Sequence, residues 1–357
     1  MDDHTEGLAL ARQVSARIRA VGSAALPADL LDELAGVRSR AAGPYLHAFL
    51  DSVLARRDGR FVNRQYLALP VLELVLADTG LDPDRLAALL MADVIRHELR
   101  SGGDPDAPAP DVLRKRVRHA RRFVGHCLGE ATEPACPLDG LPDAPATGAA
   151  DWIDLTVTRV STRHDEHFFI RALQCHELTF TVLAADVRAA TAALRAGAVE
   201  EAAARLEHAG TVFERASLLF RVVATMSADA FADFRTHTDG ASAIQSDQYK
   251  RFEVACGQPT RERLGSMAFD GVPTVRAEAL AGGDDLSHAY LDAWRDARLD
   301  AAIARLETAH QRWKATHRSL ASRMLGDGRG SGYSSGVPYL GECLRNRLFW
   351  RLDALAG

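Results

Sequence analysis

Apolar residues recur three and four positions apart through most of the chain, the period that puts them on one face of an α-helix. The stretches GLALARQVSARIRAV, PADLLDELAGV, PYLHAFLDSVLARR and LDPDRLAALLMADVIRHELR carry that period from residue 7 to about 130. Gly22, Pro27, Gly43-Pro44, Gly59, Gly80 and Gly102-Gly103 interrupt it where turns are expected. This first part predicts a helical bundle of its own.

The segment ATEPACPLDGLPDAPATGAA, residues 131 to 150, carries four prolines and few large side chains, and reads as a linker. The β-branched run WIDLTVTRV after it reads as an extended arm rather than a helix. From Asp165 the helical period returns, first in DEHFFIRALQCHELTFTVLAADVRAATAAL and VEEAAARLEHAGTVFERASLLFRVVATM. SADAFADFR and SAIQSDQYKRFEVAC follow, and LSHAYLDAWRDARLDAAIARLETAHQRWKATHRSLASRML reads as one long helix. The predicted class is all-α: a helical domain over 1–130, a linker and arm over 131–164, and a second helical domain over 165–357 that can enclose a flat cofactor.

Composition narrows the functional classes. A hydrophobic share of 47% in 357 residues is ample for a buried core. A net charge of −5 gives no electrostatic reason to expect nucleic acid or an anionic membrane as partner. The basic run RKRVRHARR, Arg114 to Arg122, therefore reads as a solvated helix face with Val117 and Phe123 turned inward. Five cysteines without a CxxC pair indicate neither a zinc site nor a disulfide framework, and suit a reducing cytoplasm. The N-terminus lacks the pattern of a signal peptide, and no apolar run reaches the length of a membrane span. His97, His119 and His126 have no metal-ligand spacing and read as structural.

The stretch richest in candidate chemistry is WKATHRSLASRMLGDGRGSGYSSGVPYLGE, Trp313 to Glu342. A helix bearing His317 runs into a loop of glycines and serines, and a second helix resumes near Val337. Glycines let a backbone approach something flat or anionic. The loop lacks the Lys-Ser/Thr pair of a phosphate-binding loop, and no strand precedes it. An imidazole just before it could be an axial ligand to heme iron, although a lone helical histidine is more often an ordinary core or surface residue.

Trp313, His317, Arg323, Gly326 and the run Gly330-Ser331-Gly332-Tyr333-Ser334-Ser335-Gly336 resemble the C-terminal signature of the tryptophan 2,3-dioxygenase family. Ser331 stands where that family has threonine, and Tyr333 where it has glycine. The resemblance implies heme b, with His317 as the proximal iron ligand, Trp313, Arg323, Gly330 and Gly332 around the cofactor, and Ser331 near the substrate's amino group.

Two further segments share the likeness. Asp165-Glu166-His167-Phe168-Phe169-Ile170, with Gln174, Glu177, Leu178 and Phe180, resembles the family's first core helix. Aligned without gaps, Phe169 takes the position of the aromatic heme-pocket residue, and Leu173 that of the distal histidine. A leucine accepts no proton, so the usual base is missing. His176, three residues on, either faces the same cavity and substitutes or is a core histidine. Phe231-Ala-Asp-Phe-Arg235 and the segment from Ser242 to Glu253 resemble the substrate-binding motif. There Arg235 would clamp a carboxylate, which suits a planar guanidinium with two parallel donors, while Phe231 packs on the substrate ring and Ser242 lies beside it. The family's N-terminal lid has no clear counterpart before Asp165; Tyr66 or Arg64 is the candidate replacement.

The resemblance, which covers about 165 to 350, implies a heme-dependent oxygenase with O2 as co-substrate and an aromatic amino acid as substrate. Leu173 and the added N-terminal half point to a specialised member that inserts one oxygen atom; indole ring opening by two-atom insertion is the alternative. A catalytically silent heme sensor is the reading of another class, and a cofactor-free partner-binding protein a third. The family likeness further implies a homo-oligomer.

Overall fold

Helices are the only regular structure among the described residues, as the apolar period predicts. The computed structural model describes residues 3–40, 43–101, 106–130, 134–238, 241–294, 296–326, 328–330 and 334–352. No helix among them is long and apolar enough to cross a membrane. The chain divides into two compact units, Met1–Cys175 with Arg221–Ala243 and His176–Phe220 with Ile244–Gly357. Boundaries between these units fall inside the helices His164–Arg195 and Val199–Val223.

In the first unit, Pro83–Arg100 and Pro110–Leu128 pack against each other. Val117 and Phe123 turn inward as expected. The basic run as a whole does not stay in solvent: Arg116 and Arg121 are buried too. Arg116 holds Glu98 at 2.9 Å and Asp165 at 2.8 Å, bonds the Thr225 hydroxyl, and lies 3.7 Å over the Phe168 ring. Those partners compensate a charge that burial would otherwise penalise by several kcal/mol. The described part of the linker, 134–149, is irregular. The run after it begins in the 3-10 helix Ala150–Thr156 and continues without regular structure over 157–159. The cause is Trp152, which is buried and stacks on Tyr45 at 5.3 Å, an anchor that a β-branched composition does not reveal.

All four side chains of the first turn of His164–Arg195 are committed within this unit. His164 bonds Glu98 and Asp165 bonds Arg116. Glu166 takes the backbone N–H of Val160 and of Ser161 as well as the Ser161 hydroxyl, and His167 bonds Asp93. His97 stacks flat on His167 with centroids 4.0 Å apart.

In the second unit one apolar cluster joins the alanine-rich faces of His176–Arg195 and Val199–Phe220 to Phe252, Leu299, Leu306 and Phe349. Ala184, Ala190, Ala202, Ala209 and Ala216 are buried, and small side chains allow close helix approach. The stretch from Leu286 to Leu325 is two helices, Leu286–Asp292 and Ala297–Leu325, rather than one. Asp296 caps the second by accepting from the Leu299 N–H, and a favourable cap ends the continuity that periodicity suggests.

Candidate active site

Two groups of predicted residues are brought together, one in each unit. In the first, Phe169 lies 5.7 Å from Phe231 and 5.3 Å from Phe234, ring to ring, and Phe231 meets Phe234 edge on at 5.6 Å. Ser227 starts the short helix Ala228–Arg235 by accepting from the Ala230 N–H. That helix then carries Phe231 and Arg235 one turn apart, so both project from the same face. The Arg235 guanidinium carbon stands 5.9 Å over the Phe231 ring, and Arg235 is half-buried. Phe169 and Leu173, also one turn apart, are half-buried against a cluster of Tyr66, Leu67, Val157, Val160, Ile170 and Ala241. Ser242 is buried. An aromatic wall beside a guanidinium is suited to a planar ring that carries a carboxylate.

In the second unit Trp313 is the centre of a nest of rings. Phe220 lies 5.3 Å away, Phe180 5.5 Å, Tyr249 5.6 Å, His317 5.7 Å and His176 5.9 Å. Phe220 touches both histidines, at 5.0 Å from His176 and 5.4 Å from His317. Burial lowers the His176 pKa to about 3, with His317 adding to the effect, and lowers that of His317 to about 4. Both imidazoles are therefore neutral at physiological pH, the form in which a histidine ligates metal.

Both ring nitrogens of His176 and the indole N–H of Trp313 are buried without a partner. His317, one turn from Trp313, is half-buried. Buried polar atoms almost always find partners, so orphaned nitrogens grouped around one set of rings mark the place of an absent ligand. A neutral imidazole next to orphaned donors and flat apolar walls fits the heme that the sequence implies.

The Gly-Ser loop is partly described. A Cβ on Gly330 would meet the Ser334 hydroxyl at 2.0 Å, and one on Gly336, at φ 75°, would meet the Gly328 carbonyl at 2.6 Å. The loop thus closes on itself through glycine, with the Gly330 N–H bonded to the Ser334 carbonyl. Arg329, Ser334 and Ser335 line a polar cleft of about 820 Å³ with Arg263 and Tyr339. Arg323 is exposed. Ser331 and Gly332 lie outside the described residues.

The candidates for the missing lid divide. Arg64 is exposed enough to pair with Glu73, whereas Tyr66 is buried in the cluster that supports Phe169 and Leu173. Sequence reasoning did not single out Phe220, Phe234 or Tyr249. Phe234 and Tyr249 lay inside quoted motifs; Phe220 looked like an ordinary position of an apolar face.

A family model described as tryptophan 2,3-dioxygenase matches residues 153–268, the stretch holding Phe169, Leu173, His176, Phe231, Arg235 and Ser242. The tryptophan 2,3-dioxygenase of Bordetella pertussis is 27% identical over 238 residues, which cover 54% of this chain and 84% of that protein. The protein of the same name from Ruegeria pomeroyi is 28% identical over 238 residues, covering 55% of this chain and 86% of its own length. That of Polaromonas naphthalenivorans is 26% identical over 238 residues. Over these residues the chain is similar to tryptophan 2,3-dioxygenases, the family whose three motifs it carries in matching order.

Proposed function

We propose that the protein is a heme-dependent oxygenase acting on an aromatic amino acid. The observation that carries this reading is the convergence of Phe169, Phe231 and Arg235, up to 66 positions apart in the chain, into a ring-lined site with a guanidinium. His317 would hold heme b, with Trp313 flanking it. When bound, heme supplies the redox-active iron that lets O2 react with an organic ring at all.

The protein's own part is positioning. Arg235 pairs with the substrate carboxylate and fixes the amino acid's orientation, Phe169 and Phe231 hold the ring plane, and Ser242 belongs to the same unit. The half-buried apolar surface keeps water from the reacting ring. Leu173 neither takes nor gives a proton. His176, in the other unit, has both ring nitrogens open, and burial keeps it neutral.

Opening of an indole ring, with both atoms of O2 in the product, is the form best supported, since the relatives carry that name. Insertion of a single atom, the preference drawn from the sequence, is favoured by one observation only, the leucine at position 173. Incubation of the hemin-loaded protein with L-tryptophan and labelled O2 tests both. Two labelled atoms in the product support ring opening; one supports hydroxylation. No labelled product from tryptophan or tyrosine contradicts the oxygenase reading and favours a heme sensor. A homo-oligomer working in the cytoplasm is part of the same proposal, and light scattering of the purified protein would measure its mass.

A further inference from the structure

The arginines of the basic run that do not turn inward form an exposed stripe in the first unit. Arg114, Arg118 and Arg122 lie one turn apart on the helix Pro110–Leu128 and are exposed, as is Lys115 beside them. No acidic residue occurs between Asp111 and Glu130 to offset them. Arg221 is exposed in the same unit, on the helix Val199–Val223, and its charge reaches this stripe. Burial first, and then Arg118, Arg221, Lys115 and Arg122, lower the pKa of His119, which all four cations surround.

Other exposed arginines of this unit have acidic partners. Arg57 meets Asp32 at 2.8 Å, and Arg163 meets Asp106 and Asp233, each at 2.8 Å. Arg114, Lys115, Arg118 and Arg221, by contrast, make no ion pair and no side-chain hydrogen bond among the described residues. Like charges one turn apart on a helix repel, so the stripe works against the helix that carries it. Nothing within the described residues gathers these cations, and a positive patch of this kind is completed by a negative one on another molecule.

We propose that this stripe is a docking surface for an extended acidic segment of a partner protein, with carboxylates at alternate positions. Successive arginines are separated by four helical residues, a rise of about 6 Å. Alternate side chains of an extended chain stand about 6.8 Å apart on one face, so three carboxylates match Arg114, Arg118 and Arg122 in register. A planar guanidinium takes a carboxylate through two parallel donors, while Lys115 and Arg221 add attraction without direction. The stripe is only about 12 Å long, little more than the screening length of about 8 Å at physiological salt. A duplex or a lipid sheet reaches past it over a chain whose net charge is −5, and is repelled there. A short acidic segment is not.

The test is fluorescence anisotropy of the labelled peptide Glu-Ser-Glu-Ser-Glu titrated with the full chain. Its isomer Glu-Glu-Glu-Ser-Ser, a short DNA duplex and phosphatidylcholine vesicles holding one fifth phosphatidylserine are the comparisons. The alternating peptide should bind most tightly, with the isomer at least about threefold weaker, because only the first places a carboxylate at every arginine. The double variant Arg114→Gln, Arg118→Gln, at wild-type helical content, should bind it about tenfold or more weakly, as should the wild type when salt rises from about 50 to about 200 mM. No binding of the alternating peptide, no preference over its isomer, or a double variant within about twofold of the wild type overturns the proposal. Tighter binding of the duplex or the vesicles than of the peptide overturns it as well, in favour of that occupant. Should the double variant not fold, Arg118→Gln alone decides by the same twofold criterion. No arm of the test uses heme, so its outcome is independent of the oxygenase reading.

Discussion

Arg116 donates to Asp165 across 2.8 Å, joining two side chains that lie 49 positions apart and are both buried. Glu98 shares the same guanidinium nitrogen at 2.9 Å. Burial works to raise the Glu98 carboxyl, but His164 and Arg116 together hold it below the usual range. Replacing Arg116 by Met would leave the Asp165 carboxylate without its cation and facing Glu98, which keeps only His164. The expected loss is about 3–5 kcal/mol of stability, the cost of breaking a buried pair from one side. Urea unfolding measures it, and a loss under about 1 kcal/mol contradicts the role given to this pair.

Arg235 should matter to ligands through their carboxylate. Arg235→Ala is expected to weaken L-tryptophan binding by roughly tenfold to a hundredfold, the range for a charge-assisted hydrogen bond. Tryptamine, which lacks the carboxylate, should bind the variant and the wild type alike. Calorimetry with both ligands separates a clamp from general damage to the pocket.

His176 predicts a conflict between stability and function. Its two ring nitrogens are buried and without partners, so His176→Leu should stabilise the heme-free protein by about 1 kcal/mol or more. The same variant should slow turnover of the hemin-loaded protein, since an imidazole with open ring nitrogens beside Trp313 is gone. Thermal unfolding and product formation measured on one preparation check both halves.

His310 supplies a pH dependence. Burial lowers its pKa to about 4, although Glu307 pulls the other way, and it bonds the Tyr249 hydroxyl at 2.8 Å. A base whose pKa is lower folded than unfolded binds fewer protons in the folded state. Stability is therefore complete above about pH 6.5 and falls as pH drops towards 4, by at most about 1.4 kcal/mol per pH unit for this one proton. His310→Gln should flatten the curve over that window by about one proton's worth of slope.

Much of this molecule was legible in its sequence. The helical period gave the all-α class, and Phe231 and Arg235, singled out by the resemblance, lie on one helix with Phe231 beside Phe169. Other features carry no one-dimensional mark. A run of arginines reads as solvated, and only the folded chain shows that Arg116 turns towards acids at positions 98 and 165. The break before Ala297 was hidden because the apolar period continues across it, and only the Asp296 cap ends one helix and starts the next. Ala68, just after Tyr66 in the cluster that supports Phe169, is left-handed, a conformation that nothing in that residue type suggests.

The central claim is that His317 binds heme, and absorption spectroscopy tests it most directly. Wild-type protein and His317→Ala, each reconstituted with hemin and freed of excess, are compared at equal helical content. The account predicts a strong Soret band in the wild type and its loss or marked displacement in the variant. An identical band in both, or none in the wild type, contradicts it.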